Sequence, residues 1–339
     1  MKKSLFLIPV AALALAACSN DEVVEQNTTQ NQPKEIAFSA LVQPNTRAAV
    51  DGTTFTPTTM EVAAWDVTNG RDFFTATTFT KDATPDPDVW KGGKYWPLSQ
   101  TYINFLAYAE LNAGSATWNL AGAGKAASGV TLVMADNKTA QKDLMYAIGN
   151  GEVTQTDNAL AFPPNVPMTF THAQAWVRFM ADAYDATSGG KVTLTSITLN
   201  GAKYNGTYTV THTNYNSSSS QSVAGAWSAL GDAQNVAVPN WTPAAIAHDD
   251  SGDGVDVGDG LLIVPDDNSS TADFTSFTIA YSIDGKAYSY TYTPATASAA
   301  NVDQAKKYTF KINFHLHEIE ILPSVTDWVE GGPTAVPVF

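Results

Sequence analysis

Two histidines two residues apart, His315 and His317, are the nearest this sequence comes to a metal-ligand pair. On one strand both would point to the same face, opposite Phe314 and Leu316. Zinc or copper needs a third and a fourth ligand, and only Glu318 stands beside them, so they are read as solvated surface histidines. The acidic run His248 to Gly260 places Asp249, Ser251, Asp253 and Gly254 like the opening of a calcium loop. Its twelfth position is Gly260 where a bidentate glutamate is needed, so Asp249 to Gly260 suits a weak calcium site at most. Gly122-Ala123-Gly124-Lys125 is followed by Ala126, where a phosphate loop needs Ser or Thr for magnesium, and no βαβ pattern surrounds it. His172, His212 and His248 are isolated, and no nucleophile motif accompanies them. The expectation is no catalytic residue, no metal, no cofactor and no enzyme.

A different chemistry is written at the N-terminus. Lys2 and Lys3 precede an apolar run, Leu5 to Ala17, too short to span a bilayer and typical of a secretory signal. It ends Leu15-Ala16-Ala17-Cys18, which resembles the bacterial lipobox, where the cysteine thiol takes a lipid. Cys18 is the only cysteine in 339 residues. An oxidising exported compartment punishes stray thiols, and this chain keeps one only where acylation would consume it. Residues 1–17 are therefore expected to be a lipoprotein signal peptide. Ser19-Asn20-Asp21-Glu22 resembles the acidic signal that sends some lipoproteins to the outer face of the outer membrane. Residues 18–34, rich in Asn, Gln and Thr, read as a polar tether. No later run has the apolar length of a membrane span, so the lipid on Cys18 would be the only membrane anchor.

A formal charge of −15 excludes nucleic acid as a partner, because a phosphate-binding surface needs clustered Lys and Arg. Arginine is scarce: the chain has only Arg47, Arg71 and Arg178. The first of them closes the stretch IAFSALVQPNTRAAV, in which Ile36, Phe38, Ala40 and Val42 share one face of a strand. A cut between Arg47 and Ala48 would let that apolar stripe leave and uncover its slot, with open N–H and C=O groups along the walls.

Around these residues the pattern is β almost throughout, with period-two alternation and turn dipeptides between runs. If Asp284-Gly285 is a two-residue turn, the partners across Phe277 to Tyr292 are Ile283 with Lys286, Tyr281 with Tyr288, Ile279 with Tyr290 and Phe277 with Tyr292. One face then collects six large residues and is expected to pack on a second sheet. Trp90-Lys91-Gly92-Gly93-Lys94-Tyr95 and Leu199-Asn200-Gly201-Ala202 read as two further tight hairpins. Three prolines in Phe162 to Met168 mark a domain boundary, with a new strand from Thr169 to Phe179 and a late one from Tyr308 to Leu316.

The order of these pieces resembles the fimbrillin family, the subunits of type V pili. The pieces are the lipobox with CSNDE, IAFSA leading to TRA, KYWPLSQTYINFLAYAE, DLMYA, PMTFTHAQAWVRF, ITLNGAKYNGTYTV, LLIVP and a closing VTDWVEGG. The resemblance covers almost the whole chain. It implies an all-β lipoprotein precursor of two transthyretin-like β-sandwich domains in tandem, here 48–167 and 168–339, after a removable strand at 35–47. It implies cleavage by an arginine-specific protease after Arg47, before Ala48. Other pilus subunits would then be partners by strand exchange at the cell surface, in a fimbrium, with a host glycan or protein as receptor. The donor would be the tail PTAVPVF, despite Pro333 and Pro337, or Glu318 to Val329 with its Pro323, and a tip subunit would need none. The alternative from another class is a surface lipoprotein that binds glycans through Trp65, Trp90, Trp96, Trp118, Trp227 or Trp241.

Overall fold

In the computed structural model, residues 32–42, 57–82, 88–120, 127–157, 159–183, 191–218, 220–252, 254–266, 271–315 and 319–327 are described. They form strands β1 (Glu35–Val42), β2 (Thr59–Asp66), β3 (Arg71–Asp82), β4 (Val89–Tyr95), β5 (Thr101–Ala109), β6 (Ser115–Asn119) and β7 (Ala127–Met134). Next come β8 (Met145–Thr156), β9 (Ala159–Ala161), β10 (Val166–His172), β11 (Ala175–Ala183), β12 (Val192–Ala202), β13 (Gly206–Thr213), β14 (Ser222–Ser228) and β15 (Gln234–Ala237). The last are β16 (Ala244–Ala245), β17 (Val255–Asp256), β18 (Leu261–Ile263), β19 (Ser276–Ile283), β20 (Lys286–Tyr292), β21 (Lys306–Phe314) and β22 (Ile319–Asp327). The chain is all-β, as expected, and no α-helix occurs among the described residues.

The N-terminal strands close on themselves. β10, β1, β4, β3, β2, β5 and β8 are hydrogen-bonded in that order, with β9 beyond β8. β8 also pairs back onto β10 through Thr171 with Tyr146 and His172 with Met145, which completes a seven-stranded ring. Its interior is an apolar cluster containing Phe38, Phe74, Phe79, Trp90, Trp96, Phe105, Met168 and Phe170.

β5 explains why one segment of the sequence is apolar without alternation. Ile103, Phe105 and Ala107 point into the ring, while Leu106 and Tyr108 point outward into a second cluster. That second cluster lies against the sheet β14-β13-β7-β6 and includes Val130, Leu132, Tyr208, Val210 and Trp227. Strands buried on both faces lose their polar alternation. Asn104 is the polar exception on the outer face of β5, buried and donating to the carbonyls of Tyr215 and Ser217. Gln221 donates to Asn104 Oδ1 at 2.7 Å, and its own Oε1 meets His212 Nε2 at 3.2 Å. Burial pushes the His212 pKa down to about 4, against the opposing effect of the hydrogen bond to Gln221 Oε1.

The C-terminal strands form two facing sheets, β17-β11-β21-β22 with β18 also on β11, and β15-β12-β19-β20 with β16 also on β12. Phe179, Phe277 and Phe310 meet between them, with ring centroids 5.0 Å and 5.1 Å apart for the two contacts to Phe277. The β19/β20 hairpin has the expected register at every pair from Phe277 with Tyr292 to Ile283 with Lys286. Asp284 and Gly285 both have positive φ, as its two-residue turn requires. The expected burial holds for only part of that face. Phe277 and Ile279 are buried, whereas Tyr288 and Tyr290 are 40% and 39% exposed because β20 is an edge strand.

Two expected hairpins are bulges instead. Gly92-Gly93 lies inside β4, where the register with β1 shifts, and Asn200-Gly201 lies inside β12, where the register with β15 shifts. A Cβ on Gly92 would stand 2.9 Å from a Phe79 ring carbon, so the glycine serves close approach of strands rather than a turn. The boundary expected at 167/168 runs through β10, whose partners β1 and β8 precede it. β7 and β13, from opposite sides of that point, share an eight-residue ladder. Pro163 and Pro164 precede β10 and Pro167 lies within it opposite Ser39, and they do not interrupt the pairing between the two halves.

Candidate functional site: the first strand and its neighbours

β1 sits between two neighbours of opposite sense. Its first half pairs antiparallel with β4, Glu35 with Tyr95 and Phe38 with Trp90. Its second half pairs parallel with β10, from Phe38 with Val166 to Val42 with Phe170. Alternation sends Ile36, Phe38 and Ala40 into the ring, where all three are buried, and leaves Leu41 56% exposed. Phe38 is the centre of the contact, edge-on to Phe79 at 4.8 Å and to Phe105 at 5.1 Å. Such pairs add about 0.5–1.5 kcal/mol each beyond the burial itself.

Polar contacts fix the ends of the slot. Lys34 Nζ donates to the Pro163 carbonyl at 2.8 Å, and the Trp96 N–H donates to the Lys34 carbonyl at 2.9 Å. The Gly93 N–H reaches the Glu35 carboxylate at 3.0 Å, which ties the bulge of β4 to the start of β1. Lys91 donates to Asp82 at 2.8 Å, and that bond, helped by the charges of Asp82 and Glu35, raises the Lys91 pKa above its ordinary value.

Ile36, Phe38 and Ala40 thus lie together in the place their spacing implied. Cys18, Arg47, Ala48, His317 and the tail PTAVPVF lie outside the described residues, as does the side chain of Val42. The two other arginines are held in strands. Arg71 opens β3 paired with Asp66, and Arg178 lies in β11 between β21 and the short β17 and β18, with its guanidinium on Asp256. Of the tryptophans considered as sugar platforms, Trp65, Trp90, Trp96 and Trp227 are buried in cores, and Trp118 and Trp241 pack against them. The four buried rings offer no open face. Trp176, not among them, lies on the outer face of β11, where an aromatic between inward Ala175 and Val177 was the available signal.

The acidic turn uses its first carboxylate internally. Asp249 accepts from the N–H groups of Ser251 and Gly254 and from the Ser251 hydroxyl, all within 3.0 Å. Among the described residues, no group of three or more His, Cys, Asp or Glu is placed to hold a metal.

Sequence and fold comparisons agree with this architecture. The fimbrillin-like family model matches residues 46–328, and the chain belongs to that family. It is a family of structural fimbrial subunits, which makes this chain a cell-surface subunit of the pilus or adhesin kind. The match begins at residue 46, so β1 lies outside it. Among solved structures, a candidate cell adhesion protein from Bacteroides ovatus superposes with a TM-score of 0.50 at 11% identity, over 89% of this chain and 100% of that one. A second such protein, from Bacteroides uniformis, gives 0.48 at 16% identity, over 87% and 98%. The fimbrial anchor protein Mfa2 from Porphyromonas gingivalis gives 0.36 at 11% identity, over 88% and 98%. No curated protein sequence matches.

Proposed function

We propose that this chain is a pilus subunit exported as an outer-membrane lipoprotein through Cys18, cut after Arg47, and polymerised when a strand of another subunit takes the place of β1. The observation that carries the reading is the position of β1 as one stave of a closed ring, apolar on its inner face and paired with β4 and β10 through backbone hydrogen bonds. Its loss would leave β4 and β10 with open N–H and C=O groups beside a cavity shaped for Ile36, Phe38 and Ala40. That is the template for strand addition.

The slot also selects its occupant. A replacement has to run antiparallel to β4 and parallel to β10, with a large apolar side chain against Phe79 and Phe105 and a small one two residues on. β22 is committed to β21 of its own chain over nine residue pairs, including Pro323 opposite Phe310. In our reading the donor is therefore the tail Pro333 to Phe339. The two-domain reading is carried with it, one unit around the ring and one around the C-terminal sheets.

N-terminal sequencing of the surface form tests this directly. An N-terminus at Ala48, in denaturant-resistant oligomers that form with rising concentration after limited trypsin treatment, supports the reading. A cut product that stays monomeric at every concentration refutes it.

A further inference from the structure

We propose that a pocket framed by Trp176, Asn240 and Asp259 binds a neutral or amino saccharide. This does not rest on strand exchange, since the pocket shares no residue with the β1 slot. It has a volume of about 330 Å³, at the small end of ligand sites.

The pocket is built rather than incidental. The Trp176 Nε1–H donates to the Asp259 carbonyl at 2.9 Å, and the Asp259 N–H donates to the Pro239 carbonyl at 3.3 Å. Gln141 accepts from the Leu262 N–H at 2.6 Å while its amide donates to the carbonyls of Asn137 and Lys138. Three loops are thereby tied around one tryptophan. Gly258 and Gly260 take positive φ, and a Cβ at either would strike a backbone oxygen, of Pro239 at 2.1 Å or of Val177 at 2.6 Å. Only glycine lets the loop approach this closely.

The lining matches the two surfaces of a pyranose. The Trp176 indole, Pro239 and Leu262 supply an apolar wall for ring C–H groups. Asn240 Nδ2 donates to Asp259 Oδ2 at 2.5 Å, so the pair is locked in orientation. Asp259 Oδ1 and Asn240 Oδ1 are acceptors that this bond does not use, as adjacent sugar hydroxyls require, and Thr139 adds a hydroxyl at the rim. Asp259 is the one ionisable residue in the lining, which disfavours acidic sugars. Arg178 and Lys307 approach the indole at 5.0 Å and 5.8 Å, but Arg178 is paired with Asp256 and Lys307 is buried.

Saturation-transfer NMR on the full chain tests the assignment, with lactose, chitobiose, mannose and N-acetylglucosamine as probes and Nα-acetyl-lysine as a cationic side-chain probe. The expected result is transfer to ring C–H protons of at least one sugar at millimolar affinity. Asn240→Ala and Asp259→Ala should each weaken it roughly tenfold or more, the loss of one hydrogen bond to a charged or locked group, with thermal unfolding unchanged. Silence from every sugar, a sugar signal indifferent to both variants, or binding of acetyl-lysine in place of the sugars overturns the proposal.

Discussion

Replacing Phe38 by alanine separates a stave that holds the ring from one that merely lies on it. The side chain is fully buried and touches Phe79 and Phe105 edge-on. Phenylalanine to alanine at such a site costs about 3–5 kcal/mol in lost transfer free energy and cavity formation. β1 is held on both sides by ladders, which limits collapse around the cavity, so the expected loss is about 4 kcal/mol. Urea unfolding of the uncut chain, followed by tryptophan fluorescence, reads this as a midpoint lowered by about 1.5 M if the slope is about 2–3 kcal/mol/M. Leu41→Ala is the internal control, because that side chain is mostly in solvent and its loss should stay within about 0.5 kcal/mol. A Phe38→Ala loss below about 1 kcal/mol, or one equal to that of Leu41→Ala, would refute the claim that β1 fills a core slot.

Gly92→Ala should destabilise the uncut chain by about 1–3 kcal/mol through overpacking on Phe79 and Thr78, measured by the same unfolding curve. His212 has a folded pKa near 4, below the ordinary 6.5, so the folded state resists its protonation and stability falls as pH drops from about 6.5 to 4. Across that window the native chain should lose about 3 kcal/mol more than His212→Gln, and equal pH profiles would contradict it. Limited trypsin with mass spectrometry should find cleavage after Arg47 before any cut at Arg71 or Arg178, whose peptide bonds are hydrogen-bonded in ladders. Early cuts at either of those two would argue against that protection.

What the sequence made legible was what local chemistry decides. Asp284-Gly285 fixes its own turn, and once the turn is fixed every pair of β19 and β20 follows by counting. The face of β1 was legible for the same reason, since alternation alone orders Ile36, Phe38 and Ala40. Where sequence reasoning failed, the deciding partner was distant. Gly92-Gly93 and Asn200-Gly201 suit a turn or a bulge equally, and only the strands beside them choose. Tyr288 and Tyr290 alternate like core residues, but their exposure follows from β20 having no outer neighbour. The six tryptophans weighed as sugar platforms pack in or against the cores, while the pocket of Trp176 is assembled from distant segments, loops at 139–141, 239–240 and 258–260 with Leu262 of β18, which no local pattern reveals.

The ring has one property that depends on thread order alone. β2, β3, β4, β5, β8 and β10 are each followed and preceded by other staves or by chain that leads back into the fold. Extracting any of them would need two cuts and would sever the molecule. β1 is the first of the described staves, so under the proposed cut after Arg47 one hydrolysis would leave it held by its two ladders and its packing alone, with every later connection intact. In the proposed cycle one broken bond would turn the strand that closes the ring from a covalent part of the chain into an exchangeable ligand.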